Sequence, residues 1–111
     1  MKGRRLPDTH RGDLPDGIQA GDYWKVLQRD SDEPVTSDAP GNLTHAVWYV
    51  AAPMPSGSFG LACLTRHTIR EEADGTISVR HGDGSSNSIL VKGANGQEFH
   101  GYIEHGVWSD A

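Results

Sequence analysis

The chain has 111 residues, 10 Lys and Arg against 15 Asp and Glu, a formal net charge of -5 and a hydrophobic share of 35%. That length predicts one domain with a thin core, and the acidic balance excludes a protein that gains affinity by neutralising phosphates, so non-specific nucleic-acid binding is not expected. Cys63 is the single cysteine, which excludes an internal disulfide, and the absence of an apolar run of ~18 residues or a signal-like leader points to a cytoplasmic protein with no membrane partner.

Residues 1–16 carry Pro7, Pro15 and several charges and almost nothing apolar, so they are expected to form a mobile or partner-ordered N-terminal arm, with residues 17–111 as a single β-rich domain. Asp16 to Ala20 is the one place for a short helix. Gly21 to Leu27 is the first strand expected, and Asp30 to Gly41, rich in Ser, Asp and Pro, a surface loop. His45 to Ala51 is the most continuous apolar stretch, which predicts a central strand covered on both faces. Ala52 to Ser58 breaks the pattern, and Phe59 to Leu64 resumes it. Three hairpins follow. Asp74-Gly75 joins Thr68–Glu72 to Thr76–Arg80, Asn95-Gly96 joins Ser88–Lys92 to Gln97–Tyr102, and Glu104-His105-Gly106 makes a shorter third turn before Val107-Trp108. The expected fold is mainly β, a small antiparallel or mixed sheet arranged as a sandwich or open barrel.

The segment His81-Gly82-Asp83-Gly84-Ser85-Ser86-Asn87-Ser88 is the most unusual. Gly, Ser and Asn can turn successive backbone N–H groups to one side and hold an anion, while hydroxyls add donors. Arg80 and His81 stand at its mouth, and Arg66 and His67 can join them if the strands bring the two segments together. The ligand-binding set is therefore Arg80, His81, Gly82, Gly84, Ser85, Ser86, Asn87, Arg66 and His67, for a small anionic or nucleotide-type ligand. The same loop also reads as an ordinary strand connection, although hairpin connections usually run two to five residues. His67, His81, His100 and His105 with Cys63 supply metal-ligand chemistry without the spacing of a recognised metal motif, so no metal and no cofactor are assigned. Cys63 sits in an apolar run, where a thiol packs as a small hydrophobe, and no catalytic residue is assigned. Trp24, Trp48, Trp108, Tyr23, Tyr49 and Tyr102 are read as core rather than as stacking platforms.

Several stretches of the carboxy-terminal two-thirds carry a likeness. These are Pro40-Gly41-Asn42-Leu43-Thr44 before Val47-Trp48, His67-Thr68-Ile69-Arg70-Glu71 with Asp74-Gly75-Thr76-Ile77-Ser78-Val79, Gly82-Asp83-Gly84-Ser85-Ser86-Asn87-Ser88-Ile89-Leu90, and His100-Gly101-Tyr102-Ile103-Glu104-His105-Gly106-Val107-Trp108. Through them the chain resembles a family of small uncharacterised proteins of bacteriophages, prophages and some bacterial operons. The resemblance implies a phage or prophage accessory factor, of host-interaction or anti-defence type, in the host bacterial cytoplasm. Some members of that family carry further cysteines of metal-binding kind, which this chain lacks. A non-enzymatic binding protein, for a small ligand or a host protein, is the expectation. A metal-dependent or His-assisted hydrolase and a small virion structural or oligomerisation module are the alternatives, and the oligomeric state is left open.

Overall fold

A computed structural model describes residues 1–36, 46–65, 67, 69–79 and 88–111. Four strands form one sheet in chain order: β1 (Thr9–His10), β2 (Tyr23–Leu27), β3 (Trp48–Pro53) and β4 (Phe59–Leu64). β1 runs parallel to β2, and the other pairs are antiparallel. A two-stranded ladder of β5 (Arg70–Glu71) and β6 (Ile77–Ser78) and a three-stranded sheet of β7 (Ile89–Lys92), β8 (Glu98–Glu104) and β9 (Val107–Asp110) complete the mixed, mainly β architecture.

The hairpins form where local chemistry demands them. Gly75 takes φ +87° in the loop between Glu72 and Thr76, whose backbones pair at 2.7 Å, while the Asp74 carboxylate accepts from the Thr76 hydroxyl and amide. Asn95 and Gly96 both sit at positive φ, 59° and 74°, the combination Asn-Gly tolerates best. His105 and Gly106, at 47° and 77°, form a two-residue turn that sets Glu104 opposite Val107. The sole helical turn among the described residues is the 3-10 turn Ala94–Gly96, whereas Asp16 to Ala20 forms turns. Gly17 at φ +66° explains why no helix starts there.

β3 is central as expected, because the sheet carries apolar packing on both faces. Its inner face, with Trp48 and Val50, meets Ile69, Ile77, Val79, Ile89 and Ile103 in the main core. Its outer face, with Tyr49 and the preceding Val47, joins Trp24 and Val26 in a second cluster, where Trp24 and Tyr49 stack at 5.8 Å. Part of the expected surface loop closes this second cluster. Val35 N–H donates to Val26 at 2.9 Å and its carbonyl accepts from Val47 at 2.8 Å. Residues 37–41 of that loop lie outside the described residues.

The first sixteen residues differ from a free arm. Trp108 N–H donates to the Met1 carbonyl at 2.7 Å, Gly3 donates to Gly106 at 2.7 Å, and Leu6 donates to Tyr23 at 2.9 Å. β1 then lies along β2, and Leu6 buries itself in the second cluster. Two arginines provide what apolar composition could not. Arg4 forks onto the buried Asp22 at 3.1 and 2.8 Å, and Arg5 reaches Glu71 and the Gly75 carbonyl, each at 2.9 Å. Backbone pairing plus charge-assisted hydrogen bonds thus offset ordering entropy in a segment with few apolar side chains.

β4 inverts the usual pattern of a half-covered strand. Gly60, Ala62 and Leu64 face the interior, where a Cβ on Gly60 would lie 2.5 Å from Met54 Cε and 3.0 Å from Val91 Cγ1. The large apolar side chains of Phe59 and Leu61 therefore point outward, 39% and 43% exposed.

Candidate functional site

Both stems of the 80–87 segment are anchored on β8. Val79 pairs antiparallel with Ile103, through reciprocal backbone bonds of 2.7 and 3.0 Å, and Ile89 pairs with Gly101. β9 occupies the opposite side of β8 at both positions, since Ile103 also faces Trp108 and Gly101 faces Asp110. Val79 and Ile89 consequently lie along one edge of β8, at neighbouring sites roughly 7 Å apart by strand rise. A single residue could bridge that gap. The chain instead places residues 80–88 between the two stems, an excursion that the sheet itself does not require.

His67 stands at the return of that excursion, its Nε2 3.0 Å from the Ser88 carbonyl oxygen. A carbonyl only accepts, so Nε2 carries the hydrogen and donates, leaving Nδ1 with a lone pair in the neutral ring. Nδ1 is buried and has no hydrogen-bond partner among the described residues. Burial pushes the His67 pKa down and the Ser88 bond only partly offsets this, so the ring is neutral at pH 7. This changes the role expected of it. His67 is not a cation for an anionic ligand but an acceptor that asks for an N–H or O–H donor. Arg66, Arg80, His81, Gly82, Gly84, Ser85, Ser86 and Asn87 lie outside the described residues, so of the expected set the structure places His67 alone, against Ser88.

The other candidate ligating side chains are dispersed. His100 is exposed on β8 opposite Leu90, and His105 occupies the β8–β9 turn, 3.5 Å from the Glu72 carboxylate. Among the described residues no group of three or more His, Cys, Asp and Glu side chains is placed to hold a metal ion. Cys63 is exposed on β4 rather than packed inside, because the strand turns its small residues inward. Desolvation raises its pKa against a Tyr49 hydrogen bond and the Arg11 charge, so its thiol is a poor nucleophile at neutral pH.

One charged cluster escaped the sequence reading. Arg5 and Lys25 lie over the Trp48 ring, 4.8 and 5.3 Å from its centroid, and share the Glu71 carboxylate at 2.9 and 2.8 Å. Burial raises the Glu71 pKa, but the two hydrogen-bonded cations outweigh it and hold the carboxyl below its ordinary value. The cations are matched by Glu71 and by Asp8, which makes the cluster a strap for the N-terminal segment and not an open anion site. Trp24, Trp48, Trp108 and Tyr23 are buried as core, and Tyr49 and Tyr102 are half-buried.

No protein-family model, curated protein or solved structure matches the chain. Among the described residues no helix is long and apolar enough to cross a membrane.

Proposed function

We propose that this is a non-enzymatic binding protein, an accessory factor of phage or prophage kind acting in host interaction or anti-defence in the bacterial cytoplasm. Its ligand is nucleotide-like and is taken by the 80–88 segment with His67 at its base. The observation that carries the reading is the pair of stems: Val79 and Ile89 occupy neighbouring sites on one edge of β8, so the intervening residues serve no need of the sheet. Long excursions from a rigid scaffold are where binding groups concentrate. The sequence of the excursion supplies Arg80 and His81 as cations and Ser85, Ser86 and Asn87 as donors. The lone pair on His67 Nδ1 suits an exocyclic amino or ring N–H of a base, so a nucleotide satisfies the site better than a bare phosphate.

The test is calorimetric titration of mononucleotides and cyclic dinucleotides into the full chain, His67→Ala, and an Arg80→Ala, Ser86→Ala double variant, at two salt concentrations. Binding that weakens with salt, and falls about tenfold or more in each variant, is the expected result. Equal affinity in all three proteins overturns the site, as does silence with every nucleotide while a host protein is retained through another face.

A further inference from the structure

The four-stranded sheet ends in two unlike edges. β1 is two residues long and is flanked by Asp8 and Arg11, the kind of short, charged edge that discourages pairing. β4 is six residues long, Phe-Gly-Leu-Ala-Cys-Leu, and contains neither a charge nor a proline. The other outermost strands of comparable length carry such groups: β7 ends in Lys92 and β9 in Asp110, with Val107 of β9 also bridged to Lys2. Among the described residues β4 pairs with β3 alone, so no described strand takes the other row of its backbone donors and acceptors. Its outward side chains, Phe59, Leu61 and Cys63, form an apolar row on the same strand.

We propose that two copies of this chain associate through β4, antiparallel and edge to edge about a twofold axis, joining their four-stranded sheets into one continuous sheet with Phe59 and Leu61 of both copies in a single apolar strip. Charge selects this occupant. Two chains of net charge -5 repel one another at most surfaces, but an approach along β4 sets no charged side chain of one strand against the other. Geometry points the same way, because an antiparallel pairing of identical strands is isologous and closes at two copies, whereas β4 on the partner's β1 would propagate. β1 is too short and too charged for that.

Sedimentation velocity over a concentration series up to tens of micromolar reads the proposal directly, using the full chain, Leu61→Lys and Leu61→Ala. The wild type is expected at the mass of two chains. Leu61→Lys raises the dissociation constant about tenfold or more, since it brings like charges into the strip, and Leu61→Ala weakens it less. Leu61 is exposed, so a thermal midpoint within a few degrees of wild type confirms that the lysine variant is folded. At mildly alkaline pH, where more of the Cys63 thiol is ionised, a bismaleimide bridging Cys63 to its copy is expected to trap the wild-type pair and not the lysine variant. A wild type that stays monomeric throughout the series overturns the proposal, and so does a folded Leu61→Lys that associates as tightly as the wild type.

Discussion

Over β2 and β3 the outer face of the four-stranded sheet carries Trp24, Val26, Val47 and Tyr49, and Leu6, Ile18 and Val35 close over it. Over β4 the same face carries Phe59, Leu61 and Cys63, which stay exposed. Both halves present apolar side chains, so composition does not distinguish them. What distinguishes them is a cover supplied from far along the chain. The N-terminal segment reaches the β2 half because Arg4 finds Asp22 and Arg5 finds Glu71, and its strand β1 pairs with β2, at the opposite edge of the sheet from β4. An apolar row therefore means core in one half and a surface for association in the other.

Removing the cover has the largest expected effect. Deleting residues 1–10 would strip Leu6 from Trp24, unpair the edge of β2 and cancel the Arg4 and Arg5 anchors. The lost burial of Leu6 and the lost backbone pairing alone cost about 4 kcal/mol or more, equivalent to a fall of roughly 15 °C or more in thermal midpoint. An unchanged midpoint would mean that the segment contributes nothing to the sheet.

A single-residue contrast sharpens the same point. Trp24→Ala, at 1% exposure, is expected to cost about 3–5 kcal/mol in urea unfolding, whereas Leu61→Ala, at 43%, should cost under ~1 kcal/mol when the chain is held monomeric by dilution. Comparable losses at the two positions would show that β4 is covered after all.

The hairpins come next in size. Gly75→Val places a β-branched residue at φ +87° and is expected to cost about 1–2 kcal/mol, and Gly96→Val, at +74°, a similar amount. Their turns were readable in advance because Asp-Gly and Asn-Gly dictate backbone angles within a few residues of themselves. The docking of the first ten residues was not readable, because it rests on partners such as Glu71, 66 positions from Arg5. The inversion of β4 was hidden for a different reason. Phe59 to Leu64 is apolar on both alternations, so only the approach of Met54 and Val91 to Gly60 decides which side is inside. The His67 contact was half legible: the strands do bring His67 to the end of the Gly-Ser-Asn segment, but burial, invisible in sequence, makes it a neutral acceptor instead of a cation.

Acidification gives the smallest effect, in two steps. His67 titrates below its ordinary 6.5 in the folded chain, so the unfolded chain binds the proton first, and stability falls as pH drops from about 6.5 through the lowered folded value. Glu71 is held below its ordinary 4.5, so its contribution persists above that pH and is lost only as pH falls through its own lowered value. The pH dependence of the urea midpoint should differ between the wild type and His67→Gln in the first step and run parallel in the second. Parallel profiles throughout would place His67 in water.

Hydrogen exchange read by mass spectrometry, on the full chain at two concentrations well apart, compares the covered and bare halves in one measurement. Peptides from β2 are expected to be protected equally at both concentrations, and those from β4 to gain protection only at the higher one, as their outward amides find a second copy. Exchange in β4 that is the same at both concentrations, whether fast or slow, would contradict the account.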